Sequence, residues 1–226
     1  MIYTYMRTLY NRYTSITIYP SMILGSHNSM SYLAPAHWWM WPFRIFVRCQ
    51  KKTIREQFFS GVKCFDLRVS FDSHGRARFS HGLVDFILPA AFTNGTSLPD
   101  PVHNPVLCVL DLLDTFAVGD NIIYVRFILE KKKSQGDFDR FYKLCKYVEE
   151  TYRHLSFIGG VYKKTWERIY DFNDTITETE IAQPIGSMAP DARWYERLIP
   201  AIYALRHNSK ATITPPTEKI LLCDFV

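Results

Sequence analysis

The chain lacks several features that would mark it as a membrane, secreted or zinc-binding protein. None of its apolar runs approaches the roughly 20 residues that a membrane span requires, and its first residues lack the unbroken apolar core of a signal peptide. Its five cysteines are odd in number and contain no CxxC spacing, which argues against a zinc site and a disulfide framework and favours free buried thiols. These absences favour a cytoplasmic or membrane-peripheral protein.

The chain also lacks a large excess of one charge. Its 226 residues carry 27 Lys and Arg against 22 Asp and Glu, a net charge of +5 that favours anionic partners, including a phospholipid surface. The basic residues are scattered rather than banded with aromatic residues, so the sequence argues against nucleic-acid binding. With 47% hydrophobic residues, we expect one globular domain with a sizeable core, present as a monomer.

Strand and helix patterns alternate along the chain. Strands are predicted near 20–25, 62–70, 77–81, 121–129 and 220–223, and helices at 44–60, 105–116, 137–154 and 191–207. Residues 159–190 give no clear pattern, and residues 1–19 are interpreted as an irregular N-terminal arm. The alternation predicts an α/β fold with a parallel sheet over residues 20–226.

Polar residues with catalytic capacity stand within or after three of these apolar runs. His27 follows residues 22–24, Arg68 lies within an alternation of Phe, Leu and Val, and His81 follows Phe79. Such positions are typical of the carboxyl ends of strands, where α/β barrels build their active sites. Two histidines and one arginine there suggest acid–base chemistry on an anion, most simply a phosphate.

Five sequence blocks resemble, in the correct order, those of the phosphatidylinositol-specific phospholipase C family. They are LGSHNS at 24–29, QFFSGVKCFDLR at 57–68, FSHG at 79–82, NIIYVRFILEKK at 121–132 and LLCDFV at 221–226. The resemblance implies a distorted, incomplete TIM barrel. It also implies a phosphoric diester hydrolase that cleaves a phosphoinositide-type lipid, most similar to the bacterial, metal-independent enzymes.

The same resemblance implies a role for each residue that matches a motif. His27 would take the proton from the inositol 2-hydroxyl as it attacks phosphorus, and His81 would protonate the leaving oxygen. Arg68 would hold the phosphoryl charge, and Asp224 would fix the tautomer of His27. Substrate-binding roles are predicted for three further residues, Asn28, Asp66 and Lys131.

Asn28 and Arg68 give opposite indications about a metal ion. The calcium-dependent members of the family have asparagine at the position of Asn28, whereas the metal-independent members have aspartate there. The calcium enzymes also have a carboxylate where this chain has Arg68, and a guanidinium there would repel calcium and replace its charge. We therefore expect no cofactor, with calcium as the alternative.

Two other functions stay open on the sequence. The substrate could be a glycerophosphodiester or a sphingolipid, although the His-Arg-Gly start typical of glycerophosphodiesterases is absent at 27–29. The chain could also be a weak or inactive barrel that binds inositol phosphates or a membrane surface. Trp38, Trp39 and Trp41 follow the first strand and could either contact lipid or pack beneath their loop.

Overall fold

The computed structural model describes most of the chain between the first and last predicted strands. The described residues are 22–89, 92, 104–174, 176–177, 180–185, 193–194, 199–200 and 219–226. The predicted N-terminal arm at 1–19 lies outside them, and so does most of the helix predicted at 191–207. Among the described helices, none is both long and apolar enough to cross a bilayer.

Six strands lie side by side in one parallel sheet. In sheet order they are β9 (Ile181–Ile185), β10 (Ile220–Cys223), β1 (Ile23–Ser26), β3 (Cys64–Phe71), β6 (Ile123–Leu129) and β7 (Leu155–Tyr162). Every residue of β3 is buried, as expected for a parallel strand that is covered on both faces. The predicted α/β class with a parallel sheet is therefore confirmed.

Four short strands extend this sheet in antiparallel pairings. They are β4 (Ala77–His81), which pairs with β3, β5 (Val84–Ile87), β2 (Ala34–Pro35) and β8 (Glu167–Arg168), which pairs with β7. Val69 of β3 lies opposite Phe79 of β4. Because the two strands are antiparallel, β4 returns along β3 and its last residue, His81, comes back toward the level of Arg68.

The described strands form an open sheet. One end of the parallel order is β9, and the other end is β7 with its partner β8. The resemblance implies a distorted, incomplete barrel, and no closure of the sheet is seen among these strands. Gly25 lies at the centre of the parallel order, where an added Cβ would come within 2.5 Å of the Leu222 side chain. Glycine there lets β1 and β10 approach closely.

The helix predicted over 44–60 is wrong as one continuous element. The structure has a 3-10 turn at Trp38–Phe43, a short helix α1 at Arg44–Val47 and a separate helix α2 at Ile54–Phe59. Thr53 starts α2 with a capping box, accepting from the Glu56 amide while the Glu56 carboxylate accepts from the Thr53 amide. Between the two helices, Cys49 and Gln50 are instead hydrogen-bonded to distant parts of the chain, to Ser31 and to the Cys223 carbonyl.

The remaining helices match the predicted patterns closely. Helix α3 spans Pro105–Asp114, with proline at its first turn, and helix α4 spans Gly136–Thr151. Both present apolar side chains to the sheet, including Leu110 and Phe141, which are fully buried. All five cysteines are free and buried, as predicted.

Candidate active site

Polar side chains gather at the carboxyl edge of the parallel sheet. His27, Glu130, Lys163 and Asp224 each stand directly after the last residue of a parallel strand, namely β1, β6, β7 and β10. Arg68 lies in the second half of β3, between these strands. Because parallel strands end at the same edge, residues far apart in the sequence meet there.

The chain turns sharply after three of the predicted site residues. Asn28, Gly82 and Phe225 have φ values of 45°, 55° and 55°, in the left-handed region, and they follow His27, His81 and Asp224. The conformation is strained for asparagine and phenylalanine, at a cost on the order of 1–3 kcal/mol each. Long-range bonds hold both: the Asn28 amide donates to Asp66 Oδ2 at 2.9 Å, and the Phe225 amide donates to the Cys49 carbonyl at 2.7 Å.

His27 lies between a carboxylate and a guanidinium. Its Nδ1 is 2.7 Å from Asp224 Oδ1, and its Nε2 is 2.7 Å from Arg68 Nη2. A guanidinium only donates and a carboxylate only accepts, so Nδ1 carries the proton and Nε2 presents its lone pair. The structure therefore brings Asp224 to the position predicted for it and gives His27 the tautomer that a base requires.

Arg68 is completely buried and shares its protons among three partners. Besides His27, its Nε donates to Asp66 Oδ2 at 2.9 Å and its Nη1 donates to Glu130 Oε2 at 3.3 Å. Burial alone would raise the pKa of Asp66, but the charges of Arg68 and Arg126 outweigh it and lower that pKa below its usual range. The guanidinium is thus fixed in place as a permanent positive charge.

His81 has a different environment from His27. Its Nδ1 donates to the Val47 carbonyl at 2.8 Å, and its ring centroid is 6.0 Å from that of His27. Burial and the nearby charge of Arg68 lower the pKa of His81 to about 3. The predicted acid is therefore neutral at pH 7, and it would have to gain a proton before it could give one.

Glu130 is the main site residue that the sequence reasoning missed. Its Oε1 accepts from the Gly82 amide at 2.8 Å, and its Oε2 accepts from Arg68, so it connects the turn after His81 to the guanidinium. Burial works against its charge, but Arg68, His81 and Lys163 lower its pKa below the usual range. Its position directly after a predicted strand, like that of His27, could have identified it as a site residue.

Three other side chains at this edge were also missed. Arg126 Nη1 lies 3.6 Å from Asp66 Oδ1, and the two residues are register partners in β6 and β3. Burial and the charge of Arg68 lower the pKa of Lys163. Cys49 Sγ is 3.8 Å from His81 Nδ1. Arg126 stands in an apolar strand and Cys49 in an irregular segment, so no local pattern distinguishes either one.

The predicted substrate-binding residues have separate surroundings. Asp66 is committed to Arg68 and to the Asn28 backbone, as described above. The Asn28 side chain is buried, and its amide nitrogen has no hydrogen-bond acceptor among the described residues. Lys131 forms an ion pair with Asp85 at 2.6 Å.

The carboxylates of this site do not fit the calcium alternative. Asp66 and Glu130 are two of the buried acids of the site, and the guanidinium of Arg68 lies between them with a bond to each. A calcium ion prefers six to eight oxygen ligands and would have to displace this charge.

An exposed aromatic segment is connected to the site through the backbone. The side chains of Trp38, Trp39 and Trp41 are 84%, 50% and 51% exposed, whereas Met40 between them is buried. The segment continues into α1, whose last residue, Val47, accepts the hydrogen bond from His81. The tryptophans therefore lie at the surface, not packed beneath their loop.

Comparison with known proteins adds little to this geometry. No family model and no curated protein matches the chain. One solved structure, a phosphatidylinositol-specific phospholipase C from Listeria monocytogenes, matches with a TM-score of 0.37 and 16% identity. The match covers 62% of this chain and 46% of that one. A similarity of this size is not evidence for a shared function.

Proposed function

We propose that the chain is a metal-independent phosphodiesterase that cleaves a phosphoinositide-type lipid by acid–base catalysis with two histidines. One observation carries the proposal. His27 and His81 lie with their rings 6.0 Å apart, and Arg68 is bonded to Nε2 of the first, whose tautomer Asp224 fixes. A base, a fixed cation and a second imidazole are the groups that an intramolecular attack on phosphorus requires.

The base step begins at Nε2 of His27. A phosphodiester that enters the site accepts, through a non-bridging oxygen, the hydrogen bond that Arg68 Nη2 otherwise donates to His27 Nε2, and this frees the Nε2 lone pair. Nε2 then accepts the proton of the inositol 2-hydroxyl while that oxygen forms its bond to phosphorus. Asp224 stabilises the imidazolium that results, since its carboxylate already accepts from Nδ1.

His81 can act as the acid only after it takes up a proton when the substrate binds. The negative charge of the phosphodiester and that of Glu130 both favour protonated His81 and oppose the effects of burial and Arg68. His81 gives this proton to the diacylglycerol oxygen as its bond to phosphorus breaks. The products are a cyclic inositol phosphate and diacylglycerol, with the proton now on His27.

The exposed tryptophans suit a substrate held in a bilayer. Tryptophan side chains prefer the boundary between lipid headgroups and hydrocarbon. The net charge of +5 also favours an anionic membrane surface. In this proposal the segment Trp38–Phe43 contacts the membrane while the headgroup reaches the histidines.

The test is turnover on phosphatidylinositol vesicles in excess chelator. The wild-type chain should release inositol phosphate, and His27→Ala and His81→Ala should each lose about 100- to 10,000-fold in rate. His154→Ala, at an exposed histidine, is the matched control, and circular dichroism shows whether each variant folds. Retained turnover in both active-site variants would overturn the proposal. Turnover on sphingomyelin or glycerophosphodiesters instead would redefine its substrate.

A second candidate is a binding module for inositol phosphates or membrane. Two observations favour it. Arg68 is only 1% exposed and is already hydrogen-bonded to three partners in the protein. His81 is neutral and so has no proton to give as an acid. Such a module would bind the vesicles without turnover. Co-sedimentation with the same vesicles, run beside the activity assay, separates the two functions.

A further inference from the structure

Cys49 has no part in the proposed reaction, although its thiol lies inside the site. His27, Cys49 and Asp224 bring one ligand atom each to within 4.8 Å of one another, and all three residues are buried. They belong to three separate segments of the chain. Sequence spacing alone therefore gave no sign of this cluster.

Backbone contacts hold the cysteine in this position. The Cys49 amide donates to Ser31 Oγ at 2.9 Å, and its carbonyl accepts from the Phe225 amide, next to Asp224. Gln50 then donates from Nε2 to the His27 carbonyl at 3.1 Å and to the Cys223 carbonyl at 2.8 Å. The three ligand residues are thus tied to each other by hydrogen bonds that do not involve the ligand atoms.

The chemistry of the three ligands selects a class of ion. Imidazole nitrogen, thiolate sulfur and carboxylate oxygen together suit zinc and similar borderline-soft divalent ions, whereas calcium and magnesium prefer oxygen alone. Two ligands at zinc bond lengths of about 2.0–2.3 Å lie roughly 3.3–3.8 Å apart in a tetrahedron. The 2.7 Å contact between His27 Nδ1 and Asp224 Oδ1 would open by about 1 Å to admit the ion.

We propose that His27, Cys49 and Asp224 form a site for a zinc-class ion that switches the chain off. The ion takes the place of the proton between His27 Nδ1 and Asp224, that proton moves to Nε2, and the Cys49 thiol loses its proton to solvent. The thiolate and the carboxylate balance the two positive charges. With its proton on Nε2, the metal-bound His27 no longer accepts from Arg68 and has no lone pair with which to take the proton of the substrate hydroxyl. The inhibition rests on the proposed function, whereas the binding does not.

Cobalt titration of the metal-free chain tests the binding. Wild type should bind one Co²⁺ per chain and develop the near-ultraviolet absorption of a thiolate–cobalt bond. Cys49→Ser, which keeps nearly the same side-chain volume, should lose that absorption and weaken binding by more than about 10- to 100-fold, the loss typical of a supporting residue. Cys145→Ser, at a buried cysteine in α4, should leave both the absorption and the affinity for Co²⁺ unchanged.

The outcomes separate this proposal from the proposed function. No thiolate–cobalt absorption in wild type, or equal absorption in a folded Cys49→Ser variant, overturns the site. Absorption that depends on Cys49 in a chain without turnover supports the site while the proposed function fails. If the chain turns over phosphatidylinositol, stoichiometric zinc should inhibit it and chelator should restore it. Full activity with zinc bound would overturn the inhibitory role.

Discussion

The two histidines of the site are held in different ways. His27 stands at the end of β1 in the centre of the parallel sheet, and its two nitrogens contact a carboxylate and a guanidinium. His81 stands at the end of the antiparallel strand β4 and donates to a backbone carbonyl. Its link to a carboxylate is indirect, through the Gly82 amide and Glu130.

In the proposed reaction, this difference means that the base is prepared in advance, whereas the acid depends on the substrate. The tautomer of His27 is fixed before any ligand arrives, because Asp224 and Arg68 determine which nitrogen holds the proton. The charge of His81 is not prepared, because burial and Arg68 keep it neutral. An anionic substrate would be needed to charge it. Substitutions of residues that contact His27 (the His27 side) and of residues that act on His81 (the His81 side) should therefore have distinguishable effects on turnover and its pH dependence.

Arg68 serves both sides, and its substitution should have the largest effect of the following changes. Arg68→Lys keeps a positive charge but cannot contact Asp66, Glu130 and a phosphoryl oxygen together. We expect kcat to fall by about 100- to 1,000-fold, as for the loss of one charge-stabilising donor. Arg76→Lys, at an arginine of the β3–β4 turn, is the control. Near-normal turnover in Arg68→Lys would show that the guanidinium is not the phosphoryl ligand.

Asp224→Asn should affect the His27 side alone. An amide can present its nitrogen to Nδ1 and so favour the tautomer with the proton on Nε2. We expect kcat to fall by about 100-fold, toward the lower end of the range for acid–base catalysis, without a shift of the alkaline limb of the pH profile. A shifted limb with unchanged maximal rate would assign Asp224 to the acid instead.

Glu130→Gln should affect the His81 side more than the His27 side. Removing a negative charge near His81 lowers its pKa in the substrate complex, so the protonated acid is lost at a lower pH. The alkaline limb of kcat should move to lower pH, and the rate at pH 7.5 should fall by about 10-fold, one pKa unit. Glu150→Gln, at an exposed residue of α4, is the control. A uniform loss at all pH values would contradict this role.

The neutral state of His81 should also be visible in stability. Its folded pKa of about 3 lies below the ordinary value near 6.5, so the unfolded chain binds more protons between those values. Stability should therefore fall as pH drops from 6.5 to 5, by at most about 1.4 kcal/mol per pH unit. Asp66 and Glu130 lose their charge only at lower pH.

Urea unfolding at pH 6.5 and 5 measures this slope. His81→Asn should flatten it, whereas His154→Asn at an exposed site should not. An unchanged slope in the His81 variant would mean that His81 is already charged in the folded chain.

The sequence predicted the positions of site residues better than their states. His27, Arg68 and Asp224 could be predicted to converge because parallel strands end at one edge, and Glu130 follows the same rule. The neutral state of His81 could not be predicted, because it depends on burial and on the charge of Arg68 across the sheet. The break at 48–53 was also beyond local patterns, because Ser31 and the C-terminal strand hold Cys49 and Gln50 in place.

Phosphorus NMR of a reaction with phosphatidylinositol vesicles in excess chelator tests the central claim most directly. The account predicts that a cyclic inositol phosphate appears first, without added metal, and that His27→Ala and His81→Ala do not form it. Formation of only acyclic inositol phosphate from the outset would contradict intramolecular attack. A complete absence of turnover in the folded wild-type chain would contradict the proposal that the chain is an enzyme.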